Sequence, residues 1–315
     1  MTKIGFVMDP IEGVNPKKDS TLAMMIAAQK KGWSIFYIKQ QDLFVANGKA
    51  MAIAQAIQVN KQQTPFYKLA DEMTITLSDL DVIMMRKDPP FDSEYIYSTY
   101  ILELAENAGS LVVNKPQSLR DANEKLYTAW FPDCSPTTLV SSRGDLLRNF
   151  IAEQQDVILK PLDGMGGASI FRVRADDPNI GVILETLTEH GTQLAMAQRF
   201  IPEITEGDKR ILVIDGTAVP FALARIPAKG ETRGNLAAGG TGVSVPLSES
   251  DYQIVEKVAP TLVSKGLIFV GLDVIGSSLT EINVTSPTCI QELDNANNLD
   301  IAGQLMDVIE AKLAN

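Results

Sequence analysis

The sequence predicts two differently built halves: an α/β amino-terminal half on a parallel sheet covered by helices, then an α+β half of closely spaced antiparallel strands. Three observations carry this reading. Strand-length apolar runs alternate with helix-length patterns through the first third, the character changes around Pro116, and from Asp156 onward short strands follow one another across Asp-Gly and Gly-rich turns. At about 150 residues per domain, 315 residues also give roughly two domains. The division falls near residue 120.

In order, residues 3–8 form a strand ending in Asp9-Pro10, 19–31 a helix closed by Gly32, and 34–38 a second strand. A third strand, 81–85, runs into Arg86-Lys87-Asp88-Pro89-Pro90, followed by a long helix over 92–108 and the apolar strand 111–113. Parallel sheets gather ligands beyond the carboxyl ends of their strands. Asp9 and the charges at 86–88 stand at such ends, although solvated loop charges would look the same. Residues 47–71 carry no recognisable motif. Beyond Pro116, helices are expected over 117–130 and 145–154, and strands over 137–140, 157–160, 169–173, 194–199, 209–214 and 219–225. A helix over 248–265, opened by Ser248-x-x-Asp251, precedes strands 267–275 and 279–284.

The rarest residues exclude the most. One histidine and two distant cysteines cannot build a zinc cluster or a CxxC redox pair. His190, just before Gly191 at a helix end, reads as a cap rather than a catalytic base. Any metal must then be held by oxygens, which points to Mg²⁺. Lys and Arg number 28 against 39 Asp and Glu, a net charge of −11, which argues against nucleic acid or anionic membrane as partner. Two cysteines without a framework, no signal peptide and no membrane-length apolar run lead to the expectation of a cytoplasmic soluble protein. Met24 and Met25 read as core.

Three constellations can carry chemistry. A strand delivers Lys160 to a loop containing Gly164, Gly166 and Gly167, where backbone N–H groups can converge on an anion. The segment lacks the Gly-Lys-Ser/Thr of a Walker loop, and no GxGxxG fingerprint exists elsewhere. A plain hairpin turn is the competing reading. The second constellation is Asp273 with Glu281 and Asn283. If residues 276–278 form the turn, Asp273 falls opposite Glu281, and Asn283 shares that face. Paired carboxylates beside apolar neighbours need a counter-charge, and Mg²⁺ suits an oxygen-only set; the polar outer face of an ordinary hairpin is the alternative. The third is the stretch 226–242, with five glycines in seventeen residues and Arg233 at its tip: a lid, or only a connector. Lys125, Arg210 and Arg225 fit a phosphate pocket. Cys289, without a histidine near it in sequence, reads as a bystander.

Lys125, Lys160 with its glycine loop, and Asp273, Glu281 and Asn283 together resemble the ATP-grasp ligases. The strings Met85-Arg-Lys-Asp-Pro-Pro90, Val113-Asn-Lys-Pro-Gln-Ser-Leu-Arg-Asp121, Lys160-Pro-Leu-Asp-Gly-Met-Gly-Gly-Ala-Ser169, Glu231-Thr-Arg-Gly-Asn-Leu-Ala-Ala-Gly-Gly240 and Thr280-Glu-Ile-Asn-Val-Thr-Ser-Pro-Thr288 are similar to the bacterial glutathione synthetases, nearly end to end. The resemblance implies an amino-terminal pre-ATP-grasp, substrate-binding domain over 1–120. An ATP-grasp region over 121–315 follows, with a central lobe to about 200 and a carboxyl-terminal lobe beyond. It implies the ligation of γ-glutamylcysteine and glycine through an acyl phosphate, giving glutathione, ADP and phosphate, with Mg²⁺ (Mn²⁺ able to substitute) and a homotetrameric assembly.

By position, Lys125, Lys160 and the Gly164, Gly166 and Gly167 flap would hold the ATP phosphates. Gln198, Arg199, Phe200 and Ile201 would line the adenine pocket, and Asp208 would meet the ribose. Asp273, Glu281 and Asn283 would bind the metal. Arg210 and Arg225 would neutralise the phosphoryl group, with Arg233 entering from the lid. Arg86, Asn283 and Ser286 would face the peptide substrate. A grasp ligase for another amine or acid, or a non-catalytic ATP-binding protein of the same fold, remains the alternative.

Overall fold

In the computed structural model, described for residues 1–164, 166–231, 234 and 239–314, three sheets are wrapped by eight helices among the described residues. The first sheet holds β1 (Lys3–Met8), β2 (Ser34–Lys39), β3 (Leu43–Ala46), β4 (Lys49–Val59), β5 (Tyr67–Thr76), β6 (Val82–Met85) and β7 (Leu111–Val113), covered by α1 (Ser20–Lys30) and α2 (Ser93–Asn107). Its centre, β2-β1-β6-β7, is parallel, and β3, β4 and β5 extend it antiparallel. The motif-free stretch is therefore a long hairpin. Its periodicity is faint because alanines take inward positions of β4 (Ala50, Ala52, Ala54) while β5 is largely solvated.

After α3 (Pro116–Asp121) the second sheet comprises β8 (Thr138–Ser141), β9 (Asp156–Pro161), β10 (Phe171–Arg174) and β11 (Ala195–Arg199), with α4 (Gly144–Gln154) and α5 (Ile180–Thr188). The third holds β12 (Asp208–Ile214), β13 (Thr217–Ile226), β14 (Thr241–Pro246), β15 (Phe269–Ile275) and β16 (Ser278–Asn283) in the order β14-β13-β12-β15-β16, all antiparallel, with α6 (Glu249–Ser264). Helices α7 (Ile290–Asn297) and α8 (Ile301–Leu313) close the chain, and α8 returns to pack on α1, burying Met24 and Met25 with Leu305 and Met306.

Several local signals act as their chemistry dictates. Asp19 caps α1 through Leu22 N, and Ser248 and Asp251 form the reciprocal capping box of α6. His190 lies beyond the end of α5 in left-handed conformation, its N–H donating to Glu185 O at 2.9 Å. The expected helix over 117–130 is broken. Asn123 Oδ1 accepts from the N–H groups of Lys125 and Leu126 at 3.1 and 2.9 Å, offering the backbone an alternative to continued helix. Glu124 O accepts instead from Ile282 N of β16 at 2.8 Å. This break fixes Lys125 beside the third sheet.

Asn114, just past β7, clamps the first sheet to the third. Its Nδ2 donates to Phe269 O and Val284 O, both at 2.7 Å, and its Oδ1 accepts from Phe269 N at 2.9 Å. Asn114→Ala leaves these buried backbone groups unpaired, and we expect a loss of about 3 kcal/mol in urea unfolding. A loss under ~0.5 kcal/mol would mean that the clamp does not hold the sheets together.

Candidate active site

The carboxyl ends of β1 and β6 open onto a cavity of about 690 Å³ that they share with the third sheet and the glycine loop. Asp9, Arg86 and Asp88 line it, as do Lys125, Gly164, Gly166, Gly167, Arg210, Arg225, Glu281, Asn283 and Ser286. A smaller space of about 90 Å³ is lined by Lys160, Gln198, Arg199, Phe200, Ile201, Asp208 and Gly234. Glu281 and Ile170 line both, so the two spaces meet there. The residues proposed for phosphate, nucleotide and peptide thus converge, with two exceptions: Arg233 lies outside the described residues, and Asp273 lines neither space.

The glycine loop joins β9 to β10. Gly166 and Gly167 have φ of 64° and 82°, a conformation that side chains disfavour, and a Cβ at Gly164 would come within 2.7 Å of the Pro161 ring. Lys125, from the break after α3, donates Nζ to Gly164 O at 2.6 Å and to Glu124 Oε1 at 2.6 Å. Its Nζ stands 3.8 Å from Glu281 Oε1, and Lys160 Nζ reaches that same oxygen at 3.8 Å from β9. Two buried lysines on separate elements therefore face one carboxylate of the third sheet. Burial disfavours both charges. For Lys125 the attraction of Glu281 and Glu124 outweighs it and raises the pKa; for Lys160 burial prevails and lowers it. Burial, reinforced by repulsion from Glu281, raises the Glu124 pKa.

The β15–β16 hairpin turns at residues 276–277 rather than over the expected 276–278, and a register shift between Val274 and Asp273 restores the expected pairing of Asp273 with Glu281. The third sheet then brings partners that the local sequence did not reveal. Register across β12 places Arg210 beside Asp273 and Asp208 beside Arg225. Arg210 donates Nε to Asp273 Oδ1 at 2.5 Å and Nη2 to Oδ2 at 2.9 Å; Arg225 Nη2 stands 2.9 Å from the same Oδ2 and also binds Asp208 Oδ2. Burial pushes the Asp273 pKa up, but the two arginines overcome it and hold the carboxyl well below the usual range. The counter-charge expected to be a metal ion is, at Asp273, supplied by arginines. Glu281 and Asn283 face the cavity: Asn283 donates Nδ2 to Gly271 O at 3.3 Å, which leaves its Oδ1 as an acceptor, and among the described residues Glu281 makes only the two long lysine contacts. Among the described residues no three His, Cys, Asp or Glu side chains make a ready metal cluster. A carboxylate and an amide oxygen, with Asp273 behind them, nonetheless fit a hard cation bound jointly with phosphates.

In the smaller space, Ile158, Ile170, Ile201, Ile204 and Ile275 form apolar walls, and the Phe200 ring lies 3.5 Å from the Arg172 guanidinium. Asp208 lines this space, and among the described residues its Oδ1 is buried without a hydrogen-bond partner, which suits a ligand hydroxyl. Burial, with repulsion from Asp273 and Glu281, raises the Asp208 pKa to about 7 despite Arg225. Gly234 of the expected lid is buried against Asp208 and Arg225, where a Cβ would overlap the Arg225 carbonyl oxygen. Ser286 donates Oγ to Asp88 Oδ1 at 2.5 Å, joining its loop to the end of β6. Cys289 lines the large cavity, and burial pushes its thiol pKa up, which keeps it protonated. Glu124 and Glu292 also line that cavity and were missed by sequence reasoning. Glu124 neighbours the singled-out Lys125, and Glu292 stands one helical turn after Cys289, the only local signals for either.

Family models for the prokaryotic glutathione synthetase match this chain twice, the N-terminal domain over residues 2–120 and the ATP-grasp domain over 124–298. The glutathione synthetase of Vibrio vulnificus is 61% identical over 313 residues, covering 99% of this chain and 98% of its own. That of Pseudomonas syringae pv. tomato is 62% identical over 311 residues, covering 99% and 98%. Among solved structures, the ATP-grasp ligase PsnB, complexed with a minimal precursor, Mg and ADP, matches with a TM-score of 0.64 at 16% identity, over 99% of this chain and 98% of that one. At that identity the likeness shows the shared fold.

The raised Asp208 pKa has a stability consequence. The folded state keeps this proton up to about pH 7, whereas the unfolded carboxyl releases it near the ordinary 3.8, so this site's contribution falls as pH rises between them. Relative to Asp208→Asn, the wild type should lose roughly 3 kcal/mol of unfolding free energy between pH 4 and 7. Parallel pH profiles for the two proteins would contradict the assignment.

Proposed function

The chain belongs to the prokaryotic glutathione synthetases, and on that premise we propose how its residues divide the work of joining γ-glutamylcysteine to glycine. It is an ATP-dependent ligase, and its products are glutathione, ADP and phosphate. One observation carries the assignment of roles: Lys125 and Lys160 face a single oxygen of Glu281 where the large cavity meets an apolar slot.

In this reading the slot takes adenine between its isoleucines and Phe200, along Gln198, Arg199 and Ile201, and Asp208 Oδ1 accepts from a ribose hydroxyl. Lys125, Lys160 and the Gly164–Gly167 loop hold the phosphates, with anionic oxygens entering between the lysines and Glu281. Glu281 and Asn283, joined by Asp273 once the arginines turn to phosphate, would hold Mg²⁺, which when bound neutralises phosphate charge; Mn²⁺ would replace it, being equally suited to oxygen donors. The cysteinyl carboxylate of γ-glutamylcysteine attacks the γ-phosphorus, ADP leaves, and the acyl phosphate forms beside Arg210 and Arg225. The glycine amine then attacks the acyl carbon, phosphate departs, and the ammonium proton is released. Arg86 and Ser286 border the peptide end of the cavity. The loop between β13 and β14, whose Gly234 packs against Asp208, serves as the lid that keeps water from the acyl phosphate, with Arg233 as its cation. A cytoplasmic homotetramer, divided near residue 120 into a substrate domain and a grasp region, completes the proposal; among the described residues no helix is long and apolar enough to cross a membrane.

The test of function is phosphate release from ATP, Mg²⁺ and γ-glutamylcysteine with and without glycine, the product being weighed by mass spectrometry. Glycine-dependent release with a glutathione mass is expected; release only with another amine would discard the substrate reading. For the metal set, Glu281→Gln should lower turnover by roughly 10²–10³ while the thermal midpoint stays near that of the wild type. Near-normal turnover would remove Glu281 from the assignment. For the lid, Arg233→Ala should keep nucleotide affinity within a few-fold yet release more phosphate than glutathione formed. A one-to-one ratio would make the loop a connector.

A further inference from the structure

Two buried groups without a paired counter-charge line the large cavity. Glu292, in the first turn of α7, has its Oε2 buried with no hydrogen-bond partner. Burial raises its pKa, against the pull of its own backbone N–H and Lys18. Across the same cavity Arg86 is 4% exposed: its Nε donates to Thr21 Oγ1 at 3.2 Å and its Nη2 to Pro287 O at 2.8 Å. Among the described residues no carboxylate oxygen stands within 4.0 Å of Arg86, so its charge is matched only at a distance, by Asp88 and Asp19. A buried cation without a paired anion and a buried carboxylate oxygen without a donor are each costly. One ligand carrying an ammonium and a carboxylate on the same carbon would satisfy both.

Position along the cavity agrees. Cys289 lies within electrostatic reach of Arg210, Arg225 and Glu292, and Glu292 follows it by three positions, about one helical turn. The phosphoryl-neutralising arginines, Cys289 and Glu292 therefore belong to one stretch of the cavity wall. γ-Glutamylcysteine has matching ends: the cysteinyl carboxylate to be activated, and the free α-amino and α-carboxyl groups of its γ-glutamyl head.

We propose that Glu292 accepts the α-ammonium of the γ-glutamyl head while Arg86 faces its α-carboxylate, so that this end of the cavity selects for a zwitterionic amino-acid head. The assignment rests on the function proposed above and adds its specificity determinant. Glu292 acts here in binding, remote from the atoms that react.

The experiment compares γ-glutamylcysteine with glutarylcysteine, which lacks only the ammonium, in the wild type and Glu292→Gln at saturating ATP and glycine. The wild type should disfavour glutarylcysteine in kcat/KM by roughly 10- to 100-fold, the worth of one charged hydrogen bond. Glu292→Gln should raise KM for γ-glutamylcysteine by a similar factor and shrink the discrimination to a few-fold. Its kcat and its KM for ATP and glycine should stay within about twofold, and its thermal midpoint should not fall, since an unpaired buried carboxylate has been removed. Loss of kcat at unchanged KM, or unchanged discrimination, would overturn the proposal. Because the analogue is also compared on the wild type, equal use of the two substrates there would overturn it even if the variant failed to fold. A wild type that ligates neither substrate would instead overturn the parent function.

Discussion

The site depends on a row of buried charges that must balance one another across the third sheet. Arg225 on β13, Asp208 and Arg210 on β12, Asp273 on β15 and Glu281 on β16 are brought into line by the registers Asp208↔Arg225, Arg210↔Asp273 and Asp273↔Glu281. Residues two apart in a strand share a face, so Asp208 and Arg210 both join the row while intervening residues turn to the other side. Removing water from any one of these charges alone would cost several kcal/mol; arranged with alternating partners they hold together. Lys125 and Lys160 complete the balance at the Glu281 end, from elements outside this sheet.

That arrangement suits an enzyme with a single histidine. Phosphoryl transfer demands positioning and neutralisation of oxygen charge more than a titrating base. The same cations that compensate Asp273, Asp208 and Glu281 are the ones an incoming triphosphate would engage. Substrate binding would then be an exchange of partners within a preformed field rather than the creation of one. The glycine loop and the buried Gly234 bring backbone close to the same place, where side chains would obstruct a phosphate or a nucleotide.

Features set by neighbours in sequence were the legible ones. The opposition of Asp273 and Glu281 follows from the hairpin spacing, a register shift making up for a turn one residue shorter than expected; the lysine-glycine loop follows from its own composition, and the strand-end charges Asp9, Arg86 and Asp88 from the rule for parallel sheets. Features set by distant pairing were not. Arg210 and Asp273 are 63 residues apart, so the arginine clamp that replaces the expected counter-ion had no local signature. The break before Lys125 turned on the side chain of Asn123 competing for backbone N–H groups within what reads as helix. The β4–β5 hairpin escaped notice because its inward residues are alanines. Glu292 reads in sequence as an ordinary charge near a helix start; only its burial among Lys18, Asp19 and Cys289 shows otherwise.

The central claim is that this charge row serves to move a phosphoryl group onto a carboxylate. It is tested most directly by labelling the cysteinyl carboxylate of γ-glutamylcysteine with ¹⁸O and weighing the phosphate released during glycine-dependent turnover. Attack by that carboxylate followed by expulsion of phosphate must carry one labelled oxygen into each phosphate formed. Unlabelled phosphate, with both labels retained on the peptide side or lost to water, would contradict the account.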